Sequence, residues 1–295
     1  MIRFETDHYF QIGASHLSAG KPCQDYALSG SNNLVACAIV SDGCSTGRHT
    51  DVGSRVLTFS TLQAIRDHAK ASNGALDTAM VSITSRQQQI LSTSRALLGL
   101  ERDDMLATCA YVYVSQLGGF VHVQGDGVVG TKYRDGTIHM TRYEWANNTP
   151  FYPSYGDGSI EQFIGVHGGD LDSHRITRDF AIRSPDPDRS LWDSVSSTHP
   201  LRQGLEGMVI TITPEELSQI EYIAVFSDGA TQVEGCDWKD VVTNLLSFKS
   251  STGEFAKRRM IREIKEMQKI GKGPIDDIAF GVVRVLTSQE GEIVT

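Results

Sequence analysis

Leu34-Val-Ala-Cys-Ala-Ile-Val-Ser-Asp-Gly43 is an unbroken apolar run that stops on Ser-Asp-Gly. Leu34 to Val40 is far shorter than the roughly 20 residues a membrane helix needs. Its apolar, partly β-branched character and turn-forming end predict a buried strand. Gly119-Phe-Val-His-Val-Gln-Gly-Asp-Gly127 and Tyr222-Ile-Ala-Val-Phe-Ser-Asp-Gly229 repeat the form. Each of these strands delivers an aspartate at its end.

Between the first two strands the hydrophobic period changes. Thr50 to Ala71 and Ala75 to Leu98 read as helices. Val52, Val56, Phe59 and Leu62 share a face of the first, and Leu76, Met80, Ile83 and Ile90 a face of the second. The pattern predicts a helical pair packed on a sheet. Met105 to Val114 reads as a strand, and Thr131 to Met140 as a hairpin whose Asp135-Gly136 suits a two-residue turn. Such short connections imply antiparallel pairing. From about Thr141 to Leu205 prolines and glycines accumulate. This stretch is read as an elaborated loop or flap, with short strands at Gln162 to Val166 and Thr177 to Ile182. Helices over Trp238 to Phe248 and Gly253 to Ile270, then a strand from Ile278 to Val285, complete one expected domain over residues 1–295. In the longer of these helices Met260, Ile264 and Met267 share a face while the lysines and arginines mostly lie elsewhere, which reads as a solvated basic face.

Composition narrows the function classes. A formal net charge of −9 argues against nucleic-acid binding, which needs clustered Lys and Arg to displace phosphate counterions. The five cysteines are odd in number and form no C-x-x-C pair, as expected for reduced thiols rather than a disulfide framework or zinc site. The N-terminal Met-Ile-Arg-Phe-Glu-Thr-Asp lacks the basic and apolar regions of a secretory signal. A cytoplasmic protein, independent of membranes and monomeric, is the expectation.

The carboxylates suggest the chemistry. Hard divalent cations take oxygen ligands, and a two-metal hydrolytic site needs a shared carboxylate plus terminal ones. Asp25 follows Gly20-Lys-Pro-Cys-Gln, Asp42 and Asp228 end buried strands, and Asp276-Asp277 precede the last strand. Carboxylates at strand ends are rigidly placed and converge if those strands are neighbours in one sheet. Glycine after Asp lets a carbonyl approach a cation closely. A single Asp-Gly is ordinarily a plain turn, the reading given to Asp135-Gly136 and Asp157-Gly158.

In their order along the chain these motifs resemble the type 2C metal-dependent protein serine/threonine phosphatases, in a divergent, bacterial-like form. The matching elements are Gln24-Asp25, Val40-Ser-Asp-Gly43, Ala107-Thr108 with Gly125-Asp-Gly127, Phe226-Ser-Asp-Gly229 and Asp276-Asp277-Ile278. The resemblance runs from about Gly13 to Val285. It implies an α+β fold, a four-layer α-β-β-α sandwich of two antiparallel β-sheets flanked by helices. It implies two Mn2+ or Mg2+ ions, with a weaker third, and hydrolysis of phosphoserine or phosphothreonine by a water held between two cations. Asp42 would bridge the ions and the Gly43 carbonyl would complete one coordination sphere. Asp228 and Asp276 would hold the other ion, and Asp25 would hold bound water. Asp277 stands where the family often has Asn, and Asp126 matches the position used with Asp228 for the third ion. Where relatives carry an Arg to clamp phosphate, this chain offers Lys21, one place off, and His16. Where some carry His after the first Asp-Gly, it has Cys44. The implied partners are a phosphoprotein substrate and a cognate Ser/Thr kinase.

Other readings compete. Gly43-Cys-Ser-Thr-Gly47 fits the G-x-S-x-G nucleophile elbow with Ser45 as nucleophile, although the last histidine, His199, precedes the strands around Asp228 and Ile278. Gly125-Asp-Gly-Val-Val-Gly130 satisfies G-x-G-x-x-G but leads into a hairpin where dinucleotide binding needs a helix. A catalytically inactive relative acting as a phosphoprotein-binding module is the remaining alternative.

Overall fold

The computed structural model describes residues 2–157, 160–186 and 192–287. In chain order its elements are β1 (Arg3–Gln11), α1 (Ala14–Ala19), β2 (Tyr26–Ser31), β3 (Val35–Ser41), α2 (Thr50–Ser72), α3 (Ala79–Leu98), β4 (Cys109–Ser115), β5 (Gly118–Gln124), β6 (Gly127–Tyr133) and β7 (Ile138–Trp145). They continue with α4 (Ile160–His167), β8 (Arg175–Arg183), β9 (Asp193–Pro200), β10 (Met208–Ile212), α5 (Pro214–Gln219), β11 (Ile220–Phe226), α6 (Trp238–Leu245), α7 (Phe255–Lys269) and β12 (Ile278–Leu286). One sheet runs β1-β12-β11-β6-β7-β8-β9 and the other β10-β5-β4-β3-β2, with antiparallel pairing throughout.

The alternation within β3 shows why the sheets stack. Ala36, Ala38 and Val40 point into the core between the sheets, against residues such as Ile223, Val225 and Ala279. Val35, Cys37 and Ile39 point the other way, into a core shared with Leu57, Ile65 and Ile83 of α2 and α3. On the far side Phe226 and Phe280 pack with Val242, Leu245 and Met260 of α6 and α7. The result is the expected α-β-β-α sandwich. Small residues set the spacing at the centre, where a Cβ added to Gly281 would lie 3.1 Å from that of Ala38.

Several sequence expectations are corrected. Gln162–Val166 is not a strand but part of α4; Phe163 is fully buried. The spacing Ile160, Phe163, Ile164, His167 is helical, and five residues were too few to reveal that period. The 141–205 stretch also holds β8, close to its expected position, and β9, which extends the larger sheet. The polar sequence of β9 hid it; an edge strand is held by backbone pairing and needs no apolar face. The buried face of α2 is rotated from the expected one: Phe59 is 53% exposed, whereas Leu57, Thr58 and Thr61 are buried. Close approach decides this, since a Cβ on Gly53 would meet the Asp104 carbonyl oxygen at 2.1 Å. The buried hydroxyls of Thr58 and Thr61 satisfy themselves on the carbonyls one turn back. The second helix begins at Ala79, not Ala75. The Asp135-Gly136 turn joins β6 to β7 as expected, while the Asp157-Gly158 turn falls partly outside the described residues. All five cysteines are free, and no helix among the described residues is long and apolar enough to cross a membrane.

Candidate metal centre

Asp42, Asp126, Asp228 and Asp276 line one pocket of about 760 Å³. Three of them gather at adjoining strands of the larger sheet, where β12, β11 and β6 are neighbours, but the fourth comes from the other sheet. Asp42 leaves β3 of the smaller sheet, Asp228 and Asp276 flank β11 and β12 of the larger, and Asp126 lies where the chain passes from one sheet to the other. The site exists because the sheets are stacked with these strand ends together.

Each loop is held by its backbone. The Asp42 N–H donates to Thr108 Oγ1 at 3.1 Å, and the Thr108 N–H returns a bond to the Asp42 carbonyl at 2.8 Å. The Gly43 N–H donates to the Gln24 carbonyl, and the Cys44 N–H to that of Leu106. Gly43 has no room for a side chain, because a Cβ there would lie 2.5 Å from the Thr50 carbonyl oxygen. Opposite, the Gln232 amide donates to Asp228 Oδ2 at 2.7 Å and reaches Asp276 Oδ2 at 3.4 Å, holding the two carboxylates together. Sequence reading missed Gln232; its only signal was a position four residues after Asp228 in an irregular turn.

Asp276 and Asp277 separate in role. The Asp277 carboxylate is buried and accepts from the Gly13 N–H at 2.8 Å and the Gln24 N–H at 2.6 Å, and pairs with His16 Nδ1 at 2.8 Å. It fastens the N-terminal segment to the start of β12. Asp276 is one-third exposed and faces the pocket. His16, Asp276 and Asp277 offer ligand atoms within 4.8 Å of one another, but Asp277 already accepts three bonds there. Gly229 permits this packing, since a Cβ would stand 1.8 Å from the Asp277 carbonyl oxygen.

The electrostatics call for a cation. Burial first, and then repulsion from Asp25, Asp228 and Asp126, holds the Asp42 carboxyl well above the usual range. Burial followed by Asp228 pushes Asp126 up to about 8, and burial followed by Asp276 pushes Asp228 up to about 6. Asp25, 1% exposed, is raised chiefly by burial, with repulsion from Asp228 and Asp277 adding to it. Its Oδ2 has no hydrogen-bond partner. Asp25 does not line the cavity but lies behind it against Asp42; its unpartnered oxygen and the repelling carboxylates at the cavity wall fit divalent cations and their water, which would remove the repulsion.

The remaining candidates lie around this centre. His16 lines the pocket, whereas Lys21 lies outside its lining, with Nζ 3.4 Å from the Ser45 carbonyl oxygen. Cys44, at the pocket wall, has Sγ 3.1 Å from Thr46 Oγ1. Tyr152, from the elaborated stretch, shares that wall, and burial followed by Cys44 raises its phenol above the ordinary range. Ser45 is exposed, and no histidine among the described residues bonds its hydroxyl. Gly125–Gly130 runs into β6 rather than a helix, which removes the dinucleotide reading.

The solved serine/threonine phosphatase Stp1 from Staphylococcus aureus matches with a TM-score of 0.55 at 12% identity, over 97% of this chain and 96% of that one. The catalytic domain of the serine/threonine phosphatase PstP, solved with two manganese ions, matches at 0.53 and 14% identity, over 97% and 100%. A bacterial serine phosphatase matches at 0.52 and 12% identity, over 96% and 98%. These likenesses concern the fold. No curated protein matches by sequence. The family model for protein phosphatase 2C, however, matches residues 12–269, spanning β2, β3 and β11 and their aspartates. This chain therefore belongs to the protein phosphatase 2C family.

Proposed function

We propose that the chain is a divalent-metal-dependent phosphatase acting on phosphoserine and phosphothreonine in proteins. One observation carries the reading: Asp42, Asp126, Asp228 and Asp276 converge in one pocket, where the first three are each repelled by other carboxylates. In this reading Asp42 and the Gly43 carbonyl hold ions from the smaller sheet, Asp228 and Asp276 from the larger, and Asp126 with Asp228 serves a weaker third. Bound Mn2+ or Mg2+ would supply Lewis-acid activation of water and neutralise phosphate charge. Asp25 orients water through its unpartnered oxygen, Gln232 keeps Asp228 and Asp276 aligned, and His16 contacts phosphate from the pocket wall. Lys21, at the rim, adds positive charge near Ser45. The substrate is a phosphoprotein made by a Ser/Thr kinase, and the free thiols suit a cytoplasmic setting.

Turnover of a phosphothreonine peptide with Mn2+, then with EDTA, tests this. Activity should require metal, vanish in Asp42→Ala and survive in Ser45→Ala. Metal-dependent peptide binding without turnover would instead establish the inactive binding module, and loss on Ser45→Ala alone the serine hydrolase.

A further inference from the structure

The chain's charge is unevenly spread. From Lys249 to Lys272 it carries eight Lys and Arg against three Glu, a local +5 in a protein of −9. Three of these cations are matched: Lys257 pairs with Glu254, Lys269 with Glu266 and Arg259 with Glu263. Around the first half of α7 the balance fails. Lys249, Arg258, Arg259 and Arg262 surround a cleft of about 140 Å³ whose apolar wall is Phe248 and Phe255, and no carboxylate lines it. Among the described residues Arg258 donates only to the neutral carbonyls of Ser250 and Thr252. Lys249 and Arg262 are exposed and make no ion pair or hydrogen bond among the described residues.

Of the four cations around the cleft only Arg259 is ion-paired among the described residues, and Arg262 is partly offset by Glu266 one turn along; the excess of like charge in a concavity raises the local potential and attracts anions. The cleft has room for a carboxylate or tetrahedral oxyanion, being several times the roughly 30 Å³ of one water. It shares no residue with the pocket of the aspartates. We propose that it docks an acidic segment of a protein partner, whose anionic group inserts between Lys249 and Arg262. A protein segment suits it better than a long polyanion, because the rest of the chain carries −14 and would repel an extended nucleic acid or anionic membrane. Arginine's planar fork and the two phenyl rings fit a carboxylate-bearing peptide with apolar neighbours.

The test is fluorescence anisotropy with a labelled Asp/Glu-rich peptide of about a dozen residues, carrying no phosphate ester, in EDTA so that the metal centre takes no part. The wild type should bind it, more weakly as salt rises. Lys249→Ala/Arg262→Ala should lose at least about tenfold in affinity while hydrolysing p-nitrophenyl phosphate like the wild type when Mn2+ is restored. Lys257→Ala/Lys269→Ala, which removes equal charge from ion-paired positions on the same helix, should bind unchanged. Equal loss in both variants, no loss in the first, or tighter binding of a same-length oligonucleotide or of phosphatidylserine vesicles through Lys249 and Arg262 would overturn the proposal. Failure of the phosphatase reading would leave this binding result untouched.

Discussion

Replacing Asp228 with Asn should stabilise the metal-free protein at neutral pH while weakening its response to metal. In the folded chain the Asp228 carboxyl is pushed from 3.8 up to about 6, mainly by burial and then by Asp276. A raised acid pKa means that the native state holds a proton the unfolded chain has released, so stability falls as pH rises between the two values. The penalty is absent well below 3.8, grows through that range and is complete above about 6. At about 1.4 kcal/mol per pKa unit it reaches roughly 3 kcal/mol. Asp126, pushed up to about 8, prolongs the decline in the same direction. Asn keeps an oxygen for the Gln232 amide but carries no charge. Urea unfolding in EDTA should therefore find Asp228→Asn about 3 kcal/mol more stable than wild type at pH 7.5, with the gap closing towards pH 4. Adding Mn2+ at about 100 times its Kd should raise the wild type by nearly 3 kcal/mol and the variant by much less. A metal-free wild type whose stability is flat or rises from pH 5 to 8, or a variant less stable than wild type at pH 7.5, would refute the argument.

Asp277→Ala should cost about 3–5 kcal/mol, because it leaves the Gly13 and Gln24 N–H groups and His16 without their buried carboxylate; urea unfolding at pH 7 that finds a loss below about 1 kcal/mol would show that the N-terminal segment is held some other way. Gly229→Ala places a Cβ where the Asp277 carbonyl oxygen stands 1.8 Å away, so the Asp228 and Asp276 loops must part. Calorimetric titration should then show Mn2+ affinity reduced at least about tenfold, and unchanged affinity would mean that the approach can relax.

Much of the centre was legible because strand ends announce themselves. An apolar run stopping on Asp-Gly is a local signal, and it marked Asp42, Asp126 and Asp228 as strand ends without knowledge of pairing, while a metal role for Asp126 came only from the family resemblance. The division of labour between Asp276 and Asp277 was not legible. Adjacent residues at the start of a strand point in different directions, and which one meets the pocket depends on Gly13, His16 and Gln24, more than 250 residues away in the chain. Gln232 escaped for a similar reason: only the fold brings Asp276 beside a turn in another loop. The rotated face of α2 escaped because Gly53 and the self-bonding hydroxyls of Thr58 and Thr61 bury well despite low hydrophobicity.

By itself the sequence determined the buried strands, the flanking helices and the acidic residues at the strand ends, since hydrophobic period and turn chemistry act over a few neighbouring positions. The tertiary structure alone decided that Asp42 would meet Asp228 across two sheets rather than within one, and that Asp277 would fasten the chain while Asp276 faced the cavity. It also decided that the basic residues of α7 would surround a cleft rather than merely cover a helix. These outcomes rest on packing between segments far apart in sequence, where small residues fix the approach and burial turns neighbouring charges into strong repulsion or unmet attraction.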